Sequence, residues 1–143
     1  MDLREETPDD WEWVAIRNHI GRAIEAVKQG WTQEGEAFNY YGNYCSPRDC
    51  DAFLLCATGA LENAAHDDRE EWLIAPATQA VGRILAGTFL HHVDAHDKII
   101  EYNDAEGRTK EEILALLDDA WEMTEVWQWE KMDEEEERIY GDS

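Results

Sequence analysis

Three cysteines and three of the histidines stand at spacings that can support chemistry. His92 and His96 are one helical turn apart, so both imidazoles can face one metal ion, with Cys56 or a carboxylate completing a tetrahedral zinc site. The pattern is incomplete: no Glu follows His92, as the zinc-protease motif requires, and Cys45-x4-Cys50-x5-Cys56 contains no CxxC knuckle. Solvent-facing or helix-capping histidines explain the same spacing, and no metal or other cofactor is expected. A second arrangement makes Cys56 a nucleophile, with His92 or His96 as base and Asn103 or Asp104 orienting the imidazole. A small buried thiol on an apolar helical face accounts for Cys56 more simply. No catalytic residue is therefore assigned. A small enzyme or metal-binding protein using Cys56, His92 and His96 stands as the alternative reading.

The charge is the feature these groups must be set against. The 143 residues hold 34 Asp+Glu against 12 Lys+Arg, a formal net charge of -22. Such a chain repels nucleic acid and anionic lipid and is drawn to basic surfaces, including those of proteins that grip DNA or RNA. Density limits how far this amounts to mimicry. A chain of 16.5 kDa exposes roughly 7,500 Å², or about one net charge per 340 Å². B-DNA carries roughly one phosphate per 100 Å² of its cylinder. Mimicry therefore needs the acids gathered on one face.

Some gathering is visible along the chain. Residues 118–143 contain eleven acids against Lys131 and Arg138, and residues 1–13 contain six against Arg4. Trp127 and Trp129 interrupt the acidic run, as aromatic anchors do within a charged rim. The partner-binding candidates are accordingly Glu122, Glu125, Trp127, Trp129, Glu130, Asp133, Glu134, Glu135, Glu136 and Glu137. Packing of the tryptophans onto the chain's own core, with the acids as a solvated tail, is the plainer explanation of the same residues.

The elements that position these residues read as mostly α: one domain over residues 1–143, a bundle of about five helices. Thr7-Pro8-Asp9-Asp10 opens the first helix, whose stripe of Trp13, Ile16, Ile20, Ala23, Ile24 and Val27 ends at Gly30. Residues 31–48, with Gly35, Gly42, Pro47, Phe38, Tyr40, Tyr41 and Tyr44, predict an irregular aromatic loop or a short hairpin between helices 1 and 2. Residues 49–65 predict a central helix, apolar nearly all round, in which Ala57, Gly59 and Ala60 admit a close neighbour. A further helix opens near Pro76 and weakens at Gly87, and another covers 91–102. Thr109 and Glu112 form a capping box for the last, which continues into an acidic, Trp-rich helix or tail over 121–143. No apolar run approaches the roughly 18 residues of a membrane span. The acidic opening MDLREETPDDWEW has no signal-peptide core. A cytoplasmic location with reduced thiols is expected.

Several segments together resemble a family of small proteins of actinobacteria and their phages that carries a domain of unknown function. The resemblance rests on Gly30-Trp31, on Cys56-Ala57-Thr58-Gly59-Ala60-Leu61 with Ala64, and on Tyr102-Asn103-Asp104 with Arg108-Thr109 and Glu112-Ile113-Leu114. It spans about residues 16–120 and departs in the insert between Tyr41 and Asp51 and in the acidic ends. It implies a phage or actinobacterial origin and a compact scaffold, and transfers no activity. The expectation drawn from charge and resemblance together is a non-enzymatic, phage-encoded acidic protein in the host cytoplasm. It would bind and inhibit a basic nucleic-acid-binding host protein, by nucleic-acid mimicry if the acids cluster, with a homo-oligomer as a further option.

Overall fold

The computed structural model describes residues 10–65 and 68–140, and the side-chain surroundings of 11–65 and 69–127. Within these residues the protein is mostly helical. Helix α1 (Asp10–Gln29) leads to a hairpin of β1 (Ala37–Asn39) and β2 (Ala52–Leu55). Then follow α2 (Ala57–Asn63), a 3-10 helix (Asp68–Leu73), α3 (Ile74–Ala86), α4 (His92–Asn103) and α5 (Lys110–Tyr140). The start proposed at Thr7-Pro8-Asp9 lies outside the described residues.

The helical stripes build the core. Trp13, Ile16, Ile20, Ala23 and Val27 of α1 are buried, and α1 packs chiefly along α5, whose Ile113, Leu116, Leu117 and Ala120 are buried as well. The capping box forms: Glu112 N–H donates to Thr109 Oγ1 (3.2 Å) and Thr109 N–H to Glu112 Oε1 (3.0 Å). That backbone bond, with the Arg108 guanidinium beside it, holds the Glu112 carboxyl below the usual carboxylate range. Pro76 sits in the first turn of α3, where its missing N–H breaks no helical bond, and Gly87 ends the helix in the left-handed region (φ 74°). His91 caps α4, its Nδ1 accepting from Val93 N–H (3.3 Å).

The segment 49–65 departs from the single helix expected of it. Its first part is β2, paired antiparallel with β1 (Ala37 opposite Leu55, Phe38 opposite Leu54), and only Ala57 onward is helical. A short apolar run is ambiguous between strand and buried helix. Here the backbone of Leu55 decides it, donating to Gly30 O (3.0 Å) and accepting from Thr32 N–H (3.2 Å). The aromatic stretch is thus a hairpin with a long connection. α2 is central, with Ala57, Ala60 and Leu61 wholly buried. Gly59 admits the backbone just ahead of β1 rather than a helix, since a Cβ there would collide with Glu36 O. The close helix crossing is at Gly82 of α3, where a Cβ would meet Ala95 Cβ of α4 at 2.5 Å.

Candidate functional site

Three segments far apart in sequence meet at Asn103, the last residue of α4. Its Oδ1 accepts from Trp31 Nε1 (2.8 Å) and from the backbone N–H of Ala57 (3.0 Å), which opens α2. Its Nδ2 donates to Thr32 O (3.1 Å) and Asp104 Oδ1 (3.0 Å). Around this centre Gln33 Nε2 donates to Asn103 O (2.9 Å) and Ala105 O (3.0 Å), and Glu34 N–H donates to Asp104 Oδ1 (2.9 Å). Glu34 is held in the left-handed region (φ 61°), uncommon for a residue other than glycine. The residues quoted for the family resemblance are therefore neighbours in space. Much of their pattern is explained by tying the 31–34 segment, α2 and α4 together.

Beside the knot opens a cleft of about 350 Å³, lined by Glu34, Glu36, Tyr44, Cys56, Thr58 and Asp104 among others. Cys56 and the Asn103-Asp104 pair thus share one cavity, as the nucleophile arrangement supposes. The thiol is nevertheless a resting one. Cys56 is the N-cap of α2, its Sγ accepting from Gly59 N–H (3.3 Å) and lying 3.2 Å from Thr58 Oγ1. Burial pushes its pKa up, and the bonds to Thr58 and Gly59 offset this only in part, while Glu36 raises it further. A thiol raised in this way is largely protonated at neutral pH.

The histidines face elsewhere. His92 and His96 line a second cleft of about 360 Å³ with Glu62, Glu71 and Thr78. His96 Nε2 stands 3.9 Å from Glu36 Oε1, so one of the three carboxylates that line the Cys56 cleft also reaches the histidine side. Glu62 has its pKa raised by burial and by Glu36, against His96 and Arg48. Among the described residues, no three His, Cys, Asp or Glu side chains form a group that could hold a metal ion. Cys56, expected on the face of a helix, instead caps one, and it lines a different cavity from His92 and His96. Spacing gave no sign of His19, which is fully buried 42 residues from its partner, the carbonyl of Leu61.

The acidic, Trp-containing stretch is divided by the structure. Glu122 and Glu125 are exposed, and Trp121 is partly so. Trp127 is 4 % exposed, its ring 5.9 Å from that of Trp13 and covered by Arg83 at 4.4 Å. It is a core residue and not a surface anchor, because the 31-residue helix α5 lays it against α1 and α3. Trp129, Glu130, Asp133, Glu134, Glu135, Glu136 and Glu137 lie on α5, but their side chains fall outside the described residues. Among the described residues the most exposed aromatics are on the hairpin connection, Tyr40, Tyr41 and Tyr44, with Trp11, Trp72, Phe89 and Trp121 less so.

Five of the cations among the described residues are turned toward the protein itself. Arg83 stacks on Trp127. Arg108 lies 3.6 Å over Tyr102 and binds Glu112 (2.8 Å). Arg22 donates to Ala64 O (3.0 Å) and Glu70 (3.2 Å), Arg17 to Thr124 Oγ1 (3.4 Å), and Lys110 to Lys28 O (2.7 Å). No helix among the described residues is long and apolar enough to cross a membrane.

No curated protein and no solved structure matches the chain at a significant level. One family does match, over residues 13–123. That range takes in α1, the hairpin, the Asn103 knot and both clefts. The chain belongs to DUF6197, a family of unknown function.

Proposed function

We propose that this chain is a non-enzymatic acidic interaction protein that binds a basic, nucleic-acid-binding protein and inhibits it by occupying the surface nucleic acid would use. The observation that carries this reading is the disposition of the cations. Arg17, Arg22, Arg83, Arg108 and Lys110 bind carbonyls, aromatic rings or carboxylates of their own fold. They face inward, and the excess of 22 negative charges that remains after all 12 Lys+Arg are counted is left to the surface. The clustering that mimicry requires is supported by the packing of α1 along α5, which brings Trp13 and Trp127 together, and by the exposure of Glu122 and Glu125 on α5. A phage origin, as the resemblance implies, makes the target a host protein.

The test is retention. Lysate of the host, passed over the immobilised protein and eluted with salt, yields one dominant basic protein, and DNA competes for it. Reversing the charge of Glu134 to Glu137 lowers retention, whereas His92→Ala with His96→Ala leaves it intact. A broad smear of basic proteins leaving at modest salt would overturn the reading. So would alkylation of Cys56 ahead of the exposed Cys50, since an activated thiol is what the enzyme alternative needs.

A further inference from the structure

With Trp127 in the core, the most exposed aromatic anchors among the described residues lie away from α5. The hairpin supplies them. Tyr41 is 85 % exposed, Tyr40 75 % and Tyr44 68 %. These rings are braced: Tyr40 packs edge-on against Tyr41 and Phe53 (5.7 and 5.6 Å), and Tyr44 lies 5.2 Å from Phe38. Exposed but mutually supported tyrosines lose little rotamer freedom on binding, which is why interfaces favour them.

What they can bind is narrowed by their surroundings. Neither strand offers a free edge for strand addition: β1 is also bonded by Cys45 N–H to Ala37 O (3.2 Å) and Asn39 N–H to Asn43 O (2.9 Å), and β2 by the 30–32 segment. Recognition is left to side chains. Tyr44 forms one wall of the 350 Å³ cleft, whose charged lining groups are Glu34, Glu36 and Asp104, and no Lys or Arg lines it. Aromatic stacking of nucleic-acid bases needs a basic groove beside the rings, the opposite of what is found. A second copy of this chain would bring its own 22 negative charges. An open cleft with an aromatic wall and a carboxylate rim suits a planar cation, which stacks on the ring and pairs with carboxylates at its edge.

We propose that the hairpin 37–55 is the docking surface, and that the cleft beside Tyr44 takes an arginine side chain of the basic partner. This rests on the reading of the chain as a binder of basic proteins, and it names the surface and the residue type that such a partner must present. Arginine is preferred to lysine because only its guanidinium is flat enough to lie on Tyr44 while its edge meets Glu34, Glu36 or Asp104.

The probes are oligoarginine and oligolysine peptides of equal length, and a single-stranded DNA of similar size, titrated at about physiological salt. The intact protein binds oligoarginine more tightly than oligolysine and does not bind the DNA. The double variant Tyr41→Ala, Tyr44→Ala loses about tenfold for oligoarginine, the scale of two exposed cation–π contacts, and much less for oligolysine. Tyr41→Phe with Tyr44→Phe, which keeps the ring faces, retains the affinity. Amide shifts on adding oligoarginine centre on residues 34–44 and 103–104. Equal oligoarginine affinity in the intact protein and the Ala variant, or shifts centred on residues 118–126, would overturn the hairpin site and leave the acidic reading standing. Failure of the intact protein to bind either peptide would overturn both. Binding of the DNA would overturn both as well, and the Phe variant separates loss of stacking from loss of fold.

Discussion

Asn103 has all of its side-chain hydrogen-bonding groups engaged: Trp31 Nε1 and Ala57 N–H donate to its oxygen, and its nitrogen donates to Thr32 O and Asp104 Oδ1. Replacing it by Asp exchanges the donating nitrogen for an oxygen that faces Thr32 O and Asp104 Oδ1. The expected cost is about 3 kcal/mol, that of orphaned buried polar groups beside a new repulsion, measured by chemical denaturation. The sequence marks Asn103-Asp104 as a turn that stops a helix, and that much is right. It carries no sign of partners 46 and 72 residues away, because local patterns report periods and caps but not which loops meet. Glu62 shows the same limit, since the charges around it are Glu36 and Arg48 from the hairpin region and His96 of α4. Its carboxyl pKa is raised in the fold, chiefly by burial. The folded state therefore holds a proton that the unfolded state has released between the raised and ordinary values, and stability falls as pH rises through that window. Glu62→Gln should raise the melting temperature at pH 7, with the gain shrinking toward pH 4, as thermal unfolding across that range will show.

Elements were legible in proportion to their length. The stripes of α1 and α5, the capping box at Thr109 and the stop at Gly87 all follow from spacing and end chemistry. Residues 49–65 did not, because Phe53, Leu54 and Leu55 form too short an apolar run to separate strand from helix, and the deciding bonds come from residues 30–32 and 37–39. For α5 the periodicity left two explanations of its tryptophans, and for Trp127 tertiary packing chose the core. Trp127→Ala should cost about 3–5 kcal/mol, as for other large core aromatics, because it removes the contact with Trp13 and the platform under Arg83. Glu122→Gln with Glu125→Gln, at exposed positions on the same helix, should change stability by less than about 0.5 kcal/mol at moderate salt. Denaturant midpoints for the two variants check both figures. Any loss of partner binding in the tryptophan variant is then a loss of fold.

At the scale of the molecule, the charge must cost stability before it serves recognition. An excess of 22 negative charges repels itself, and the repulsion acts over a Debye length that shrinks from about 30 Å at 0.01 M salt to about 10 Å at 0.1 M. Sodium chloride should therefore raise the melting temperature, steeply at first and then little, once screening is shorter than the spacing of the acids. Chloride is the anion to use, since sulfate strengthens apolar burial by exclusion and would mask the electrostatic part. The size of the rise reports the layout of charge. Acids spread evenly over 8484 Å² of surface stand far enough apart that 0.1 M salt removes most of their repulsion. A ridge formed where α1 meets α5 leaves short pairs that only higher salt screens, so the melting temperature keeps climbing past 0.1 M. In that case Glu122→Gln with Glu125→Gln should raise the low-salt melting temperature by a few degrees, at roughly 2–4 °C per kcal/mol for a chain of this size, and flatten its salt dependence. A salt curve that saturates early and ignores those two residues would mean an evenly charged surface, which is too dilute to stand in for nucleic acid.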